Sequence, residues 1–129
     1  LEFRRVLFRS QMNLAAYDRF CASLPHAAMV VQWGGAHVWK VGGKVFAIGN
    51  PEADALRVTF KVSPMSFDLL RDAPGLRPAP YLASRGLTWI QRVSDASMDD
   101  ATLRDYLRES YRLAALGLTK KARAQSGMP

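Results

Sequence analysis

The chain has 129 residues, of which 49% are apolar and 22% are charged. This size and composition are typical of one ordinary globular domain and argue against disorder. No apolar run approaches the roughly 20 residues that a transmembrane helix needs, so no membrane partner is expected. The formal net charge is +7, of which residues 1–11 contribute +2 (Arg4, Arg5 and Arg9 against Glu2). The remaining excess favours an anionic partner such as nucleic acid.

Residues 1–11, "LEFRRVLFRSQ", fit poorly with the rest of the chain. They are apolar and arginine-rich, but they lack the continuous apolar centre and the cleavage site of a secretory signal. We expect a natural start at Met12 and interpret residues 1–11 as a cloning or translation scar, with an additional structured strand as the competing interpretation. The single cysteine, Cys21, excludes an intrachain disulfide and a cysteine-built zinc site, so we expect a cytoplasmic protein.

The first half of the chain predicts a helix followed by an antiparallel meander. Asn13 as an N-cap and apolar residues at helical spacing predict a helix over residues 14–24 that places Cys21 in the core. Four short runs rich in Val, Ile, Phe and Trp follow, and they predict four strands. Between two of them, Gly42-Gly43 has the composition of a two-residue hairpin turn. Lys44 comes next, but a strand pattern follows it instead of Ser or Thr and a helix, which excludes a Walker-type phosphate loop.

The second half predicts two helices, a loop and a fifth strand. Ser63 and Pro64 predict the start of a short helix. Residues 73–86 hold three prolines and two glycines, which predicts an ordered loop before the strand "LTWIQRV". Ser97 with Asp100 predicts a capping box for the longest helix, over residues 99–116. On that helix, opposite charges at helical spacing predict three ion pairs, Asp100 with Arg104, Asp105 with Arg108 and Glu109 with Arg112.

Four pieces of the sequence, in this order of elements, resemble the MmcQ/YjbR-like family: "GGKVFA", "RVTFKVSP", "APYLASRGLTWIQR" and "LRESYRLAALGLTKK". The resemblance spans residues 12 to about 123 as a single domain, and residues 124–129 are expected to be a flexible basic end. It implies an α+β fold of the CyaY (frataxin-like) type, with an antiparallel sheet of about five strands packed against N- and C-terminal helices. It also implies a "double wing" arrangement proposed to bind DNA. Family motifs fall on Lys44, Lys61, Trp89, Ser110, Tyr111, Lys120 and Lys121, of which we interpret Trp89, Ser110 and Tyr111 as packing residues.

A basic surface is the main candidate site. Arg57 and Lys61 alternate with apolar residues on one strand and therefore share a face, and Arg92 would join them if its strand is a neighbour. We predict that a nucleic-acid-binding patch forms from Lys44, Arg57, Lys61, Arg92, Lys120 and Lys121, which contact phosphates without reading sequence. Scattered solvated charges are the competing interpretation.

Catalysis and metal binding have little support in the sequence. The only histidines, His26 and His37, have no carboxylate close to them in sequence, and no nucleophile with a base is evident. We therefore predict no enzyme, no metal site and no cofactor. The alternative to DNA binding is a domain that binds a protein or small ligand, using an exposed Trp33, Trp39 or Tyr81.

Overall fold

The computed structural model describes residues 12–52, 55–80, 82 and 86–125, so the interpretation of residues 1–11 lies outside the described residues, as do residues 126–129. Within this part of the chain, the helices are α1 (Leu14–Ala22), α2 (Pro64–Leu70), α3 (Asp100–Leu116) and α4 (Lys120–Gln125). The strands are β1 (Ala27–Gln32), β2 (Ala36–Val41), β3 (Lys44–Pro51), β4 (Leu56–Lys61), β5 (Leu76–Pro78) and β6 (Trp89–Arg92).

The strands form one antiparallel sheet in the order β1-β2-β3-β4-β6-β5. The prediction of an α+β fold with an antiparallel sheet packed against N- and C-terminal helices is confirmed. The sheet has six strands instead of about five, because β5 forms inside the segment that was predicted as a loop. Pro78, the last residue of β5, has no backbone N–H to donate. The sheet tolerates this because β5 is an edge strand, so no further strand requires that hydrogen bond.

The β2–β3 hairpin forms as predicted. Gly42 and Gly43 both adopt positive φ, 57° and 83°, which a two-residue turn of this kind requires and which glycine adopts without a steric penalty. Further along this hairpin, the register shifts between Trp39 and Lys40, which leaves Phe46 as an extra residue on β3. Phe46 and Ala47 are both fully buried, so this bulge places two successive side chains of β3 in the protein interior.

α1 and α3 cover one face of the sheet and form the main core with it. The rings of Phe60 on β4 and Tyr106 on α3 lie 5.7 Å apart, and Tyr17 of α1 packs against Gly49 of β3. A β-carbon on Gly49 would lie 2.4 Å from the Tyr17 ring, so only glycine permits this approach. The core cluster joins both helices to β2, β3, β4 and β6.

The start of α3 differs in detail from the prediction. Asp99 is the N-cap, and its carboxylate accepts a hydrogen bond from the Thr102 N–H at 2.8 Å. The hydroxyl of Ser97, predicted as the capping group, instead donates to the carbonyl of Pro74. An aspartate one residue before the first helical position therefore replaces the predicted capping box.

α4 is a short helix that was not predicted from the sequence. Thr119 caps it by accepting from the Ala122 N–H, and Arg123 donates to the carbonyl of Ala115 on α3 at 3.0 Å. These contacts attach residues 120–125 to the end of α3. In the part of the chain that the structure describes, no helix has the length and apolar character needed to cross a bilayer.

Candidate functional site

The face of the sheet opposite α1 and α3, called the distal face below, carries most of the polar strand residues. Cross-strand partners lie on the same face, and the register pairs Asn50 with Arg57, Thr59 with Gln91 and Lys61 with Trp89. Arg77 on β5 also pairs with Gln91. The distal face is defined here by Lys40, Ile48, Asn50, Arg57, Thr59, Lys61, Arg77, Trp89 and Gln91.

The strands contribute cations and no acids to the distal face. None of the six strands contains an aspartate or a glutamate. The strands place four cationic residues on the distal face, Lys40, Arg57, Lys61 and Arg77. Of these, Arg57 lies 3.8 Å from the carboxylate of Glu52, just after β3, in a pair that is substantially exposed and therefore weak. The distal face is thus a positively charged surface.

A cleft of about 510 Å³ opens on the distal face. Its floor includes Thr59 and Gln91, whose residues are only 4% and 5% exposed. The other lining residues come from β3, the turn after β1 and the segment after β5: Trp33, Ile48, Asn50, Ala79, Pro80 and Leu82. Its volume lies in the range of small-molecule sites, and a mostly apolar wall with a few polar groups is their usual composition.

The polar groups of the cleft floor form a directed chain of hydrogen bonds across three strands. Arg77 donates from Nε and Nη2 to Oε1 of Gln91, at 2.8 and 2.5 Å. Because this oxygen accepts, the amide nitrogen of Gln91 faces Thr59 and donates to its hydroxyl oxygen at 3.2 Å. The hydroxyl hydrogen of Thr59 then has no acceptor among the described residues, and it remains available as a donor in the cleft.

Trp33 forms one wall of the cleft in a strained backbone conformation. Its φ is 53°, and Gly34 and Gly35 after it also have positive φ. Positive φ is a genuine outlier for a bulky residue such as tryptophan, and it costs about 1 kcal/mol or more. The Trp33 residue is nevertheless 63% exposed, so burial of the indole within the described fold does not offset this strain.

The six predicted phosphate contacts do not lie on one surface. Arg57 and Lys61 lie on the distal face, as the strand alternation predicted. Lys44 lies on the helix side, beside Gly117 at the end of α3. A β-carbon added to Gly117 would lie only 3.0 Å from the Lys44 ammonium. A cation there interacts favourably with the helix dipole. Lys120 and Lys121 are exposed on α4, next to the same helix end.

The expectation that Arg92 joins Arg57 and Lys61 is wrong. β6 does neighbour β4, but Arg92 pairs with Val58, which faces the helices. Arg92 is 7% exposed, and its Nη2 donates to the carboxylate of Asp100 at 2.9 Å. Asp100 therefore binds this buried arginine instead of Arg104, whereas the predicted pairs Asp105–Arg108 and Glu109–Arg112 form.

The three motif residues interpreted as packing groups are all held by the fold. Ser110 is fully buried; its oxygen accepts from the Lys61 N–H at 2.8 Å, and its hydroxyl donates to the Phe46 carbonyl at 2.6 Å. Tyr111 packs edge-on against Phe46 and donates to the carbonyl of Pro25. Trp89 is buried on the distal face beside Lys61. The hydrogen bonds of Ser110 and Tyr111 and the burial of Trp89 support structural roles for these three side chains.

A second polar cluster joins α1 to β2. The carboxylate of Asp18 contacts Nδ1 of His37 at 2.7 Å and accepts from Nε1 of Trp39 at 2.9 Å. A carboxylate on an imidazole is the arrangement that orients a general base, but among the described residues no Ser, Thr or Cys side chain bonds to this histidine. Nor does this part of the chain bring three His, Cys, Asp or Glu residues together in a metal-binding group. Trp39 is a buried residue of the core, so the expectation that it is exposed is wrong, and Tyr81 lies outside the described residues.

Cys21 is a core residue, as predicted. It is fully buried beside Tyr17. Burial, followed by the charge of Asp18, raises the pKa of the Cys21 thiol far above its ordinary value. The thiol therefore stays protonated in the folded state, and it has none of the character of a reactive cysteine.

Lys40, Arg77 and the cleft were not predicted from the sequence. Lys40 could have been found, because it alternates with the apolar residues Trp39 and Val41 and so shares a strand face with neither of them. No local signal marked Arg77, because its strand lies between two prolines. The cleft depends on residues from five separate segments, which only the tertiary structure brings together.

Comparison with known proteins identifies the family. A family model described as YjbR matches residues 22–113, and the chain belongs to the YjbR family. Its fold is similar to that of the Deinococcus radiodurans protein DR2400, which contains the family domain DUF419, with 26% identity, a TM-score of 0.76 and coverage of 92% of this chain and 91% of that chain. A Pseudomonas syringae protein has the same fold, with 17% identity and a TM-score of 0.64 over 80% of this chain and 99% of that one. No curated protein matches the chain.

Proposed function

We propose that this YjbR-family protein is a sequence-tolerant DNA-binding module that holds phosphates on the distal face and catalyses no reaction. The observation that carries the proposal is the basic character of the distal face: four cationic residues lie on that face, and no strand contributes an acid. Phosphate contacts of this kind supply affinity through counterion release without reading base sequence.

A helix that reads the major groove is a poorer model for this protein. The exposed arginines Arg108 and Arg112 of α3 are paired with Asp105 and Glu109, so that surface presents matched charges. The distal face instead combines cations with the exposed indole of Trp33. That combination suits an extended single strand, whose bases are free to stack on an aromatic side chain.

The cleft favours a second candidate, a small-molecule-binding domain. Its volume of about 510 Å³ and its apolar walls are compatible with a compact ligand. The two candidates differ in salt dependence, because a largely apolar ligand releases few counterions when it binds.

A salt titration with matched charge variants tests the proposal. We expect a fluorescein-labelled ten-residue thymidine strand (dT10) to bind with a log–log salt slope near 0.7 per phosphate contacted. The double variant K40Q/K61Q removes two charges from the distal face and should lower that slope by about 1.4. K120Q/K121Q removes the same charge from α4 and should leave the slope nearly unchanged. Equal effects of both variants, or no salt-dependent binding by the wild type, would overturn the proposal.

A further inference from the structure

We propose that the cleft binds one planar base of an anionic ligand, with Trp33 as its stacking partner and Thr59 as a hydrogen-bond donor at its floor. The shared chemistry is a nucleobase that remains joined to its phosphate, either in a single strand or in a free nucleotide. This inference rests on the proposed function, and it adds a base-binding pocket to a surface otherwise assigned only to phosphates.

The walls of the cleft suit the faces of a ring. Trp33 presents an exposed indole on one side, and Ala79, Pro80 and Leu82 provide apolar surface from the segment after β5. Stacking on an aromatic side chain is tolerant of base identity, because every base has a π-face. The strained φ of Trp33 supports this role, since strain is commonly retained where it positions a functional side chain.

The floor of the cleft suits the polar edge of a ring. The chain of bonds from Arg77 through Gln91 fixes Thr59 as an acceptor from the protein, so its hydroxyl hydrogen is free to donate. On β3, the side-chain amide of Asn50 also lines the cleft and has no hydrogen-bond partner among the described residues. An amide both donates and accepts, so the floor offers the two kinds of group that a base edge requires.

Cations lie on both sides of this floor along β4. Arg57 and Lys61 are each two residues from Thr59, about 6.7 Å along the strand, and both share its face. A ligand with its ring in the cleft would therefore have a cation nearby for a phosphate in either direction. An uncharged apolar ligand would leave these cations unused, which is why the geometry favours a nucleobase with its phosphate.

The test compares strands with and without bases. The probes are dT10 and a ten-unit abasic phosphodiester strand of equal charge, measured by anisotropy at one salt concentration. We expect dT10 to bind roughly 5- to 150-fold more tightly, the range for stacking of a single base. W33A should bring the affinity for dT10 close to that for the abasic strand without altering the latter, whereas W33F should retain most of the difference. L69A, which truncates an exposed leucine on α2, is the control and should preserve it.

The outcomes separate this inference from the proposed function. Equal binding of dT10 and the abasic strand, with a normal salt slope, would overturn the base pocket and leave phosphate binding intact. Absence of binding to both strands would overturn the two proposals together. Quenching of tryptophan fluorescence by thymidine monophosphate, at concentrations similar to those of dT10, would support the pocket. It would also identify a free nucleotide as the source of the base that the pocket binds. Retention of the dT10 preference in W33A would contradict the role of Trp33.

Discussion

Ser110 replaces a missing backbone bond between two strands, so S110A should be strongly destabilising. Direct pairing of β3 with β4 ends at Ala47 and Phe60. Immediately beyond that pair, the Ser110 hydroxyl bridges the Lys61 N–H and the Phe46 carbonyl. Alanine would leave both buried backbone groups without a partner, because Ser110 is 0% exposed and water has no access.

The magnitude follows from these two bonds. An unsatisfied buried donor or acceptor costs about 1–3 kcal/mol, and alanine recovers about 0.5 kcal/mol through its higher helix propensity. With two such groups, we expect a net loss of about 1.5–5.5 kcal/mol in urea unfolding followed by circular dichroism. At about 4 °C per kcal/mol for a domain of this size, Tm should fall by roughly 6–22 °C. S23A removes an exposed serine hydroxyl from the end of α1 and serves as the matched control. A loss below about 0.5 kcal/mol for S110A would refute the reasoning.

Three further predictions follow from the packing and the titrating groups. G49A should destabilise by about 1–3 kcal/mol in the same assay, since the added β-carbon meets the Tyr17 ring at 2.4 Å. An unchanged unfolding midpoint for G49A would contradict this packing. The Cys21 thiol of the native protein should resist iodoacetamide at pH 8 and react only in denaturant, and rapid alkylation of the native protein would contradict its burial. Because the pKa of Cys21 is raised in the folded state, the free energy of unfolding should fall as pH rises through the ordinary thiol value of 9.0. D99A should lower Tm more than S97A at pH 7. Hydrogen bonds from Thr102 lower the pKa of Asp99, so the contribution of Asp99 to stability should disappear as pH falls through that lowered pKa. A stability contribution that persists in acid would contradict the capping role.

The sequence was informative at several places where a local pattern determines local structure, although the local pattern of Ser97 and Asp100 predicted the wrong helix cap. The alternation along β4 placed Arg57 and Lys61 on one face correctly. Gly42-Gly43 identified its hairpin, and Asn13 and Ser63 identified helix starts, because turns and caps depend on a few adjacent residues.

Predictions that depended on distant partners were less successful. Arg92 shares a strand face with Ile90, but arginine is ordinarily a surface residue, and only the register with Val58 and the position of Asp100 show that it is buried. Lys44 follows an exposed turn, but the end of α3 lies beside it in the folded chain. The cleft likewise depends on Trp33 and Gln91, which are far apart in sequence. Such juxtapositions are set by tertiary packing, which a single sequence does not specify locally.

The central claim is that the distal face binds nucleic acid, and methyl NMR on addition of dT10 tests it most directly. Ile48, Thr59 and Leu82 line the cleft, whereas Leu69 and Leu116 are exposed on helices α2 and α3. We predict that saturating dT10 shifts the methyl signals of the first three residues and leaves those of Leu69 and Leu116 nearly unchanged. Shifts concentrated at the two helical leucines, or no shifts at the cleft when the strand is fully bound, would contradict the account.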